Sequence, residues 1–208
     1  MVRAESVGVT VALSRPAARL LLLRHGETEW SKTGRHTGRT DLALTDYGRR
    51  RAQAVAPVLR GLDLVDPLVL CSPRQRARTT AELAGLHVTE TTELLAEWDY
   101  GAYEGRTTEQ IRESVPDWLV WTHGCPEGES VEEVGRRADR AIRIALDRMV
   151  EHDVVFVGHS HFSRAVIARW LGLPVAAGAG FAMAAASVAV AGFEHGGHQL
   201  LALGLAGP

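Results

Sequence analysis

The sequence predicts an α/β fold, a three-layer α/β/α sandwich with a mostly parallel sheet and a C-terminal antiparallel hairpin. Three observations lead to this prediction. Short apolar runs that are typical of buried strands alternate with segments of helical periodicity, which is the order expected of βα units. Several of these runs end in small or polar residues that are followed by charged ones. Finally, the segment His-Gly-Gly-His at 195–198 has the composition of a tight turn between two last strands.

The strands are predicted from their apolar runs. The first, at 19–23, precedes a glycine-bearing loop, and the second, Leu68–Cys71, is followed by a serine and a proline. The remaining strands are placed at 88–92, 153–158, 186–193 and 199–203.

The helices are predicted from capping residues, helix-breaking residues and periodicity. Thr45 can cap a helix that runs to about Leu59, with Pro57 bending or ending it. The clearest helix begins at Ser130, whose side chain can form a capping box with Glu133 before apolar residues at helical spacing. Further helices are predicted at 74–83, 107–114, 117–122 and 161–171.

Length and composition are typical of one domain of a globular protein. With 208 residues the chain can form a single continuous core, so residues 1–208 are predicted to be one domain. Residues 1–18 are expected to form a flexible extension or an edge strand, because charged residues interrupt their apolar patches and no secretory signal is recognisable. No run approaches the ~20 apolar residues of a membrane span, so no membrane partner is expected.

The charge balance and the cysteines indicate which kinds of partner and which cellular compartment to expect. The chain has 23 Lys and Arg against 25 Asp and Glu, and acidic neighbours dilute its arginine-rich segments, so no nucleic-acid partner is expected. Cys71 and Cys125 do not have the spacing of a metal or redox motif. This indicates a reducing compartment, and we expect a cytoplasmic protein.

Reactive side chains follow the ends of several predicted strands. Arg24 and His25 come directly after the first strand, Arg76 follows the second, and His159 follows the fourth, with Glu97 between them in the sequence. Because ligands bind at the carboxyl ends of parallel strands, we expect these groups to converge. An imidazole that attacks phosphorus, arginines that neutralise phosphate oxygens and an acid that protonates the leaving oxygen together fit phosphoryl transfer to a histidine.

The same segments resemble the histidine phosphatase superfamily, which contains phosphoglycerate mutases and many acid phosphatases. RHGETEW at 24–30, SPRQRART at 72–79, EWDYGAYEG at 97–105 and VGHSH at 157–161 occur in the order of that family. The resemblance implies that His25 is the nucleophile and that Arg24 and Arg76 bind phosphate. It implies that His159 contacts the transferring phosphate, and that Glu97 protonates the leaving group and then activates water.

Three further residues are predicted to contact phosphate. Thr37 lies in the loop that follows the first motif and offers a hydroxyl or an amide. Ser160 precedes a predicted helix, so its backbone amide can donate to an anion. Ser31 stands where many members of the family carry asparagine, and it keeps a hydroxyl donor but lacks the amide. His161 is expected to line the same pocket.

The sequence favours a phosphatase over a mutase. Residues 97–130 contain two arginines against eight acidic residues, without room for the long basic insertion that mutases of the family carry. An opposing observation is the group Lys32, Arg35, His36 and Arg39, which could bind a second anionic group of a substrate.

We therefore predict a metal-independent hydrolase of small phosphomonoesters, with an acidic optimum because Glu97 must be protonated to donate. The alternatives are phosphoglycerate mutase-type transfer and a non-catalytic phospholigand-binding or interaction domain.

Two histidine pairs have spacings that could suit a metal ion, His159 with His161 and His195 with His198. No third ligand at a suitable spacing accompanies them, so neither a metal nor another cofactor is predicted. The edge of the final hairpin leaves a homodimer possible.

Overall fold

The computed structural model describes residues 18–207, which contain a six-stranded sheet. The strands in chain order are β1 (Leu20–Arg24), β2 (Leu68–Cys71), β3 (Glu90–Thr91), β4 (Val154–Gly158), β5 (Val188–Glu194) and β6 (Gly197–Leu205). Their order in the sheet is β3-β2-β4-β1-β5-β6. The first four strands are parallel, β5 is antiparallel to β1, and β6 is antiparallel to β5. The predicted fold class, with its C-terminal hairpin, is confirmed.

Helices cover both faces of this sheet. They are α1 (Glu29–Lys32), α2 (Asp46–Gly61), α3 (Gln75–Leu83), α4 (Thr108–Arg112), α5 (Val120–His123), α6 (Val131–Arg148) and α7 (Ser160–Trp170). Along β1, Leu21 and Leu23 share a core with α2 and α3, whereas Leu20 and Leu22 share a core with α6 and α7. This alternation is the one expected along a strand that is buried on both faces, and it gives the three layers.

Some predicted boundaries move for local reasons. Pro57 lies inside α2 and does not end it, because buried side chains on both sides, including Leu59, hold the helix against the sheet. The helix predicted at 117–122 begins later, since Asp117 has a φ of 62° and cannot join a right-handed helix. The capping box predicted for α6 is present.

The predicted extension at residues 1–18 lies outside the described residues except for Ala18, which packs against the core. The assignment of residues 1–208 to one domain stays a prediction. Within residues 18–207, no helix is long and apolar enough to cross a membrane.

Candidate active site

The carboxyl ends of three parallel strands form the floor of the site. His25, Ser72 and His159 come directly after β1, β2 and β4. Backbone pairing continues beyond the strands, since the N–H of His25 donates to the Gly158 carbonyl and that of Ser72 to the Val157 carbonyl, both at 2.9 Å. The rings of His25 and His159 therefore lie edge to face with 5.1 Å between their centroids.

The His25 ring is held with one nitrogen free. Its Nδ1 lies 2.6 Å from the carbonyl oxygen of Gly26, which can only accept, so Nδ1 carries the proton. Nε2 has no hydrogen-bond partner within residues 18–207, and the ring lines a pocket of ≈290 Å³. Burial, and then the charges of Arg76 and Arg24, lower the pKa of His25 well below its ordinary value. The ring is therefore neutral and nucleophilic at Nε2.

Close backbone packing fixes the loop that carries this carbonyl. The N–H of Gly26 donates to Thr80 Oγ1 on α3 at 2.9 Å. A Cβ at Gly26 would lie 2.6 Å from the carbonyl oxygen of Gly48, and a Cβ at Gly48 would collide with the backbone of Glu27. Both glycines are therefore required by the approach of α2 to the loop.

His159 is fully buried behind His25. Its Nδ1 accepts a hydrogen bond from Arg76 Nε at 3.2 Å, so the proton lies on Nε2, which donates to Ser72 Oγ at 2.8 Å. Burial, and then the charge of Arg76, lower the pKa of His159 well below its ordinary value. Because protein groups occupy both ring nitrogens, contact with a phosphate requires one of these bonds to be exchanged. The role of His159 at the phosphate stays a prediction.

Arg76 is also fully buried, and most of its donors bind protein groups. Nη1 donates to the carbonyl of Thr40 at 2.8 Å, and Nη2 donates to the carbonyls of Thr37 and Gly38 at 3.0 and 3.1 Å. Together with the Nε bond to His159, this leaves one N–H of Nη1 without a protein acceptor. Arg76 is not among the residues that line the pocket, so its contact with phosphate stays a prediction. Burial lowers the pKa of Arg76, and the negative charge of Glu97 opposes this effect.

The loop that holds Arg76 is fixed in turn by Glu104. The Glu104 carboxylate accepts hydrogen bonds from the N–H of Gly38, at 3.0 and 2.9 Å to its two oxygens, and from the N–H of Thr40 at 2.9 Å. A chain of hydrogen bonds thus runs from Glu104 through the loop to Arg76 and on to His159. Glu104 lies in the sequence motif at 97–105. Its role as acceptor for the loop at 38–40 depends on the path of that loop, so residue spacing in the sequence does not predict it.

Arg24 borders the pocket beside the nucleophile. Its Nη1 donates to the Met183 carbonyl at 2.5 Å, whereas its buried Nε has no partner within the described part of the chain. Burial lowers the pKa of Arg24, and the charge of Glu97 opposes this effect. Arg24 as a whole is half-buried, and an unpaired buried donor on a cation is costly, so the arrangement fits an anionic ligand.

Glu97 is buried at the N-terminus of α7. Its Oε1 accepts from the N–H groups of Trp98 and Phe162 at 2.9 and 2.8 Å, and its Oε2 accepts from the N–H of His161 at 3.1 Å. Glu97 lines the same pocket as His25. Oε2 has fewer donors, so it is the oxygen with room for a proton.

One wall of the pocket consists of uncharged ring side chains. Tyr100 Oη lies 2.6 Å from His161 Nδ1, and the His36 ring packs on Tyr100 with 4.7 Å between centroids. Burial lowers the pKa of His36 to about 4, lowers that of His161 well below its ordinary value, and raises that of Tyr100. Trp118 and Trp121 are buried behind these rings. His161 lines the pocket as expected, whereas Tyr100 carries no strong signal in the sequence.

Ser31, Thr37 and Ser160 all lie at the pocket. Ser31 Oγ donates to the carbonyl of Thr28 at 3.1 Å and accepts from its N–H at 2.9 Å, which caps α1. Thr37 Oγ1 donates to the carbonyl of Arg35 at 3.2 Å. Ser160 is the first residue of α7, so its N–H has no acceptor within that helix. Their contacts with phosphate stay predictions, and Ser160 has the freest donor.

Two of the four basic residues at 32–39 do not fit the second anion site that the sequence allowed. Arg39 forms an ion pair with Asp99 at 2.6 Å. His36 is uncharged because it is buried. Arg35 lines the pocket and remains as a cation at its rim. The expectation of a clustered anion site is therefore wrong for Arg39 and His36.

The second histidine pair has a structural explanation. His198 Nδ1 lies 2.8 Å from the carbonyl of Trp170, and its ring stacks on that tryptophan with 4.2 Å between centroids. Within residues 18–207, no group of three or more His, Cys, Asp or Glu residues is arranged to hold a metal ion. His198 thus anchors the hairpin to α7.

Comparison with known proteins agrees with this geometry. The family model of the histidine phosphatase superfamily (branch 1) matches residues 20–206. The acid phosphatase of Mycobacterium tuberculosis (strain ATCC 25618 / H37Rv) is 63% identical over 189 residues, which cover 91% of this chain and 93% of that protein. The sedoheptulose 1,7-bisphosphatase of Saccharomyces cerevisiae (strain ATCC 204508 / S288c) is 34% identical over 187 residues, covering 76% of this chain and 69% of that protein.

A solved structure shows the same fold. The structure of the open reading frame Rv3214 from Mycobacterium tuberculosis matches with a TM-score of 0.91 and 62% identity, covering 93% of this chain and 100% of that chain. Sequence motifs, site geometry and these similarities agree, and the chain belongs to the histidine phosphatase superfamily.

Proposed function

We propose that this phosphatase hydrolyses small phosphate monoesters through a phosphohistidine on His25 Nε2, without a metal ion. The observation that carries the proposal is the 2.6 Å bond between His25 Nδ1 and the Gly26 carbonyl, which leaves Nε2 free at the pocket. Similarity to a protein named acid phosphatase over 91% of this chain supports the same reaction.

In the first step, the Nε2 lone pair of His25 attacks phosphorus and the bond to the ester oxygen breaks. Arg24 and the remaining N–H of Arg76 neutralise charge on the phosphoryl oxygens. Glu97 gives its proton to the leaving oxygen, from Oε2, and the alcohol departs.

In the second step, water attacks the phosphohistidine. Glu97, now a carboxylate, accepts the proton of this water, while the P–N bond breaks and its electron pair returns to Nε2 of His25. Phosphate leaves, and Glu97 is again protonated for the next turnover. Because each cycle starts with the acid form of Glu97, we propose an acidic optimum.

Mutase-type transfer has less support. A mutase of phosphoglycerate must hold a carboxylate in addition to the phosphoryl group, which requires further cations at the pocket. Of the predicted cations, Arg39 is paired with Asp99 and His36 is uncharged. The non-catalytic alternative has no observation in its favour, since Arg24, His25 and Glu97 all lie at the pocket.

Trapping of the phosphoenzyme tests the proposal. The protein is mixed with p-nitrophenyl phosphate and quenched in alkali, in which phosphohistidine survives, and its mass is measured. We expect one added phosphoryl group in the wild type and none in His25→Ala. His195→Asn is a matched control, because this exposed turn residue has a φ of 51° that asparagine also adopts. Normal turnover by His25→Ala would refute the mechanism.

The variant Glu97→Gln tests the role of Glu97 as proton donor independently of nucleophilic attack by His25. It should form phosphoenzyme readily from p-nitrophenyl phosphate, whose leaving group needs no proton. With glycerol 3-phosphate its rate should fall about 100-fold or more, because the alcohol must then leave without a proton donor. Equal losses with both esters would show that Glu97 does not act as the acid.

We also propose a cytoplasmic location and a homodimer. The location is supported by Cys71 and Cys125, which are both buried and unpaired, as a reducing compartment favours. The dimer is supported by β6, a nine-residue strand at the edge of the sheet with Leu201 and Leu203 exposed. Size-exclusion chromatography with light scattering tests the dimer. No nucleic-acid partner is proposed.

A further inference from the structure

The side chains of Tyr100 and His161 line the pocket but have no part in the proposed reaction. Tyr100 is almost fully buried, and its hydroxyl has His161 Nδ1 as its hydrogen-bond partner at 2.6 Å within residues 18–207. Burial raises the pKa of Tyr100 and lowers that of His161, so both groups are neutral. A neutral phenol that has this single acceptor donates to it.

The tautomer of His161 follows from this bond. Since Nδ1 accepts from Tyr100, the ring proton lies on Nε2. Nε2 has no hydrogen-bond partner in the described part of the chain. Only Arg24 Nε and Arg74 Nε are both buried and without a partner there, so His161 Nε2 is not a buried atom. The Nε2–H is therefore an accessible donor that the protein leaves unpaired in the pocket.

This donor shares a pocket with the nucleophile and the proposed proton donor. His25, Glu97 and His161 all line it, and the backbone N–H of His161 donates to Glu97 Oε2 at 3.1 Å. With phosphorus at His25 Nε2 and the leaving oxygen at Glu97, the alcohol portion of the substrate is within the same pocket as the His161 ring.

The surroundings of His161 are polar and aromatic, and burial together with the charges of Arg164 and Arg24 lowers the pKa of its ring. Its ring lies 5.9 Å from that of His36 and 5.2 Å from that of Trp121, measured between centroids. Arg164, on the same helix, donates to the carbonyls of Gly178 and Ala179 and packs over Trp121. Arginine and tryptophan side chains can only donate, so neither kind of neighbour occupies the Nε2–H of His161.

We propose that His161 Nε2–H donates to an uncharged oxygen of the substrate's alcohol portion, so that esters of polyhydroxy alcohols are preferred to plain alkyl ones. This inference rests on the proposed function and names its substrate class. An alkyl ester would bury the donor unpaired, and a site that binds a hydroxyl discriminates against analogues that lack it.

Two esters with three-carbon alcohols test the preference. They are glycerol 3-phosphate and n-propyl phosphate, with kcat/KM measured under one set of conditions. We expect the wild type to favour glycerol 3-phosphate by about tenfold or more. Equal rates for the two esters would overturn the inference without any variant.

Variants assign the preference to the ring nitrogen. His161→Phe should reduce the ratio of glycerol to propyl ester to about one, whereas His161→Gln keeps an N–H donor and should retain most of it. Tyr100→Phe keeps the His161 ring but removes the hydroxyl that holds the proton of that ring on Nε2. Tyr100 is thus a positioning residue, and the ratio of glycerol to propyl ester should fall to a value between those of the wild type and His161→Phe. A wild-type ratio in His161→Phe would overturn the inference.

Turnover of p-nitrophenyl phosphate and phosphoenzyme formation are followed in every variant. They report any general loss of activity, which affects the glycerol and propyl esters alike and cancels in their ratio. If the wild type itself forms no phosphoenzyme, the proposed function fails and this inference fails with it. If the phosphoenzyme forms and the ester preference is absent, the inference alone is wrong.

Discussion

Three buried neutral histidines predict that acid destabilises the folded protein well before most carboxylates are protonated. His25, His36 and His159 are 5%, 9% and 0% exposed, and burial is the main cause that lowers the pKa of each. In the unfolded chain they titrate near ~6.5. Between the folded and unfolded pKa values the unfolded state binds more protons, so the free energy of unfolding falls as the pH decreases.

As long as the rings stay neutral in the folded protein, the loss of stability depends only on the pKa of histidine in the unfolded chain. At about pH 5.5, each such histidine lowers the free energy of unfolding by ~1.4 kcal/mol, compared with ~0.2 kcal/mol at about pH 7. For these three rings and His161, whose pKa is lowered in the same way, the loss between these conditions is up to ~5 kcal/mol. That is a large part of the ~5–15 kcal/mol that stabilises a typical domain.

Urea unfolding at several pH values between about 7 and 5.5 measures the loss. Phosphate is left out of the buffer, because a ligand of the folded state would add its own stabilisation. His36→Gln should remove about a quarter of the pH dependence, since four rings share it. Thr108→Val is the matched control, because its Oγ1 lies 3.3 Å from His36 Nε2 but it removes no titrating group.

A free energy of unfolding that stays level over this range would refute the reasoning. It would mean that the rings take up protons in the folded state as readily as in the unfolded chain, in which case His25 would not stay a neutral nucleophile as the pH decreases. A His36→Gln variant with the full wild-type pH dependence would contradict the assignment for His36.

Two further predictions concern the support of the site. Glu104→Ala should raise KM for p-nitrophenyl phosphate about tenfold and lower the free energy of unfolding by ~2–4 kcal/mol, because two N–H groups of the loop at 38–40 lose their acceptor. Glu104→Gln, which keeps an acceptor oxygen, should lose less in both kinetics and urea unfolding. Gly48→Ala should destabilise by ~3 kcal/mol or more through its collision with Glu27, whereas Gly61→Ala, at the end of the same helix, has open space and should change stability by less than ~1 kcal/mol. Similar thermal unfolding midpoints for Gly48→Ala and Gly61→Ala would show that the close contact between Gly48 and Glu27 does not limit the side chain at position 48.

The fold and the reacting groups could be predicted because each depends on local sequence. Strand β2 has the predicted bounds, since its apolar run is flanked by a proline on each side. His25 and His159 could be placed at one edge of the sheet because parallel strands share their carboxyl end. The Gly26 carbonyl that fixes the tautomer of His25 is one residue away in the sequence.

The supporting contacts could not be predicted, because they join segments far apart in the chain. Arg76 binds His159 across 83 positions, and Glu104 binds Gly38 across 66. Sequence spacing also made Arg39 look like a free cation, although Asp99 neutralises it through a fold-dependent contact. Such pairs depend on how loops fold over the sheet edge, and no periodicity encodes that path.

The backbone and the side chain of His161 have different roles, one in proton transfer and the other in substrate selectivity. Its backbone N–H holds Glu97 Oε2, so the position of the proton donor depends on the turn that begins α7 and not on the side chain at 161. The ring of the same residue faces the alcohol portion of the substrate, and Tyr100 sets its donor. A substitution at 161 that preserves the helix can therefore change which alcohol is accepted while proton transfer is retained. This explains why the ester preference, rather than the rate with an activated ester, is the measurement most sensitive to that side chain.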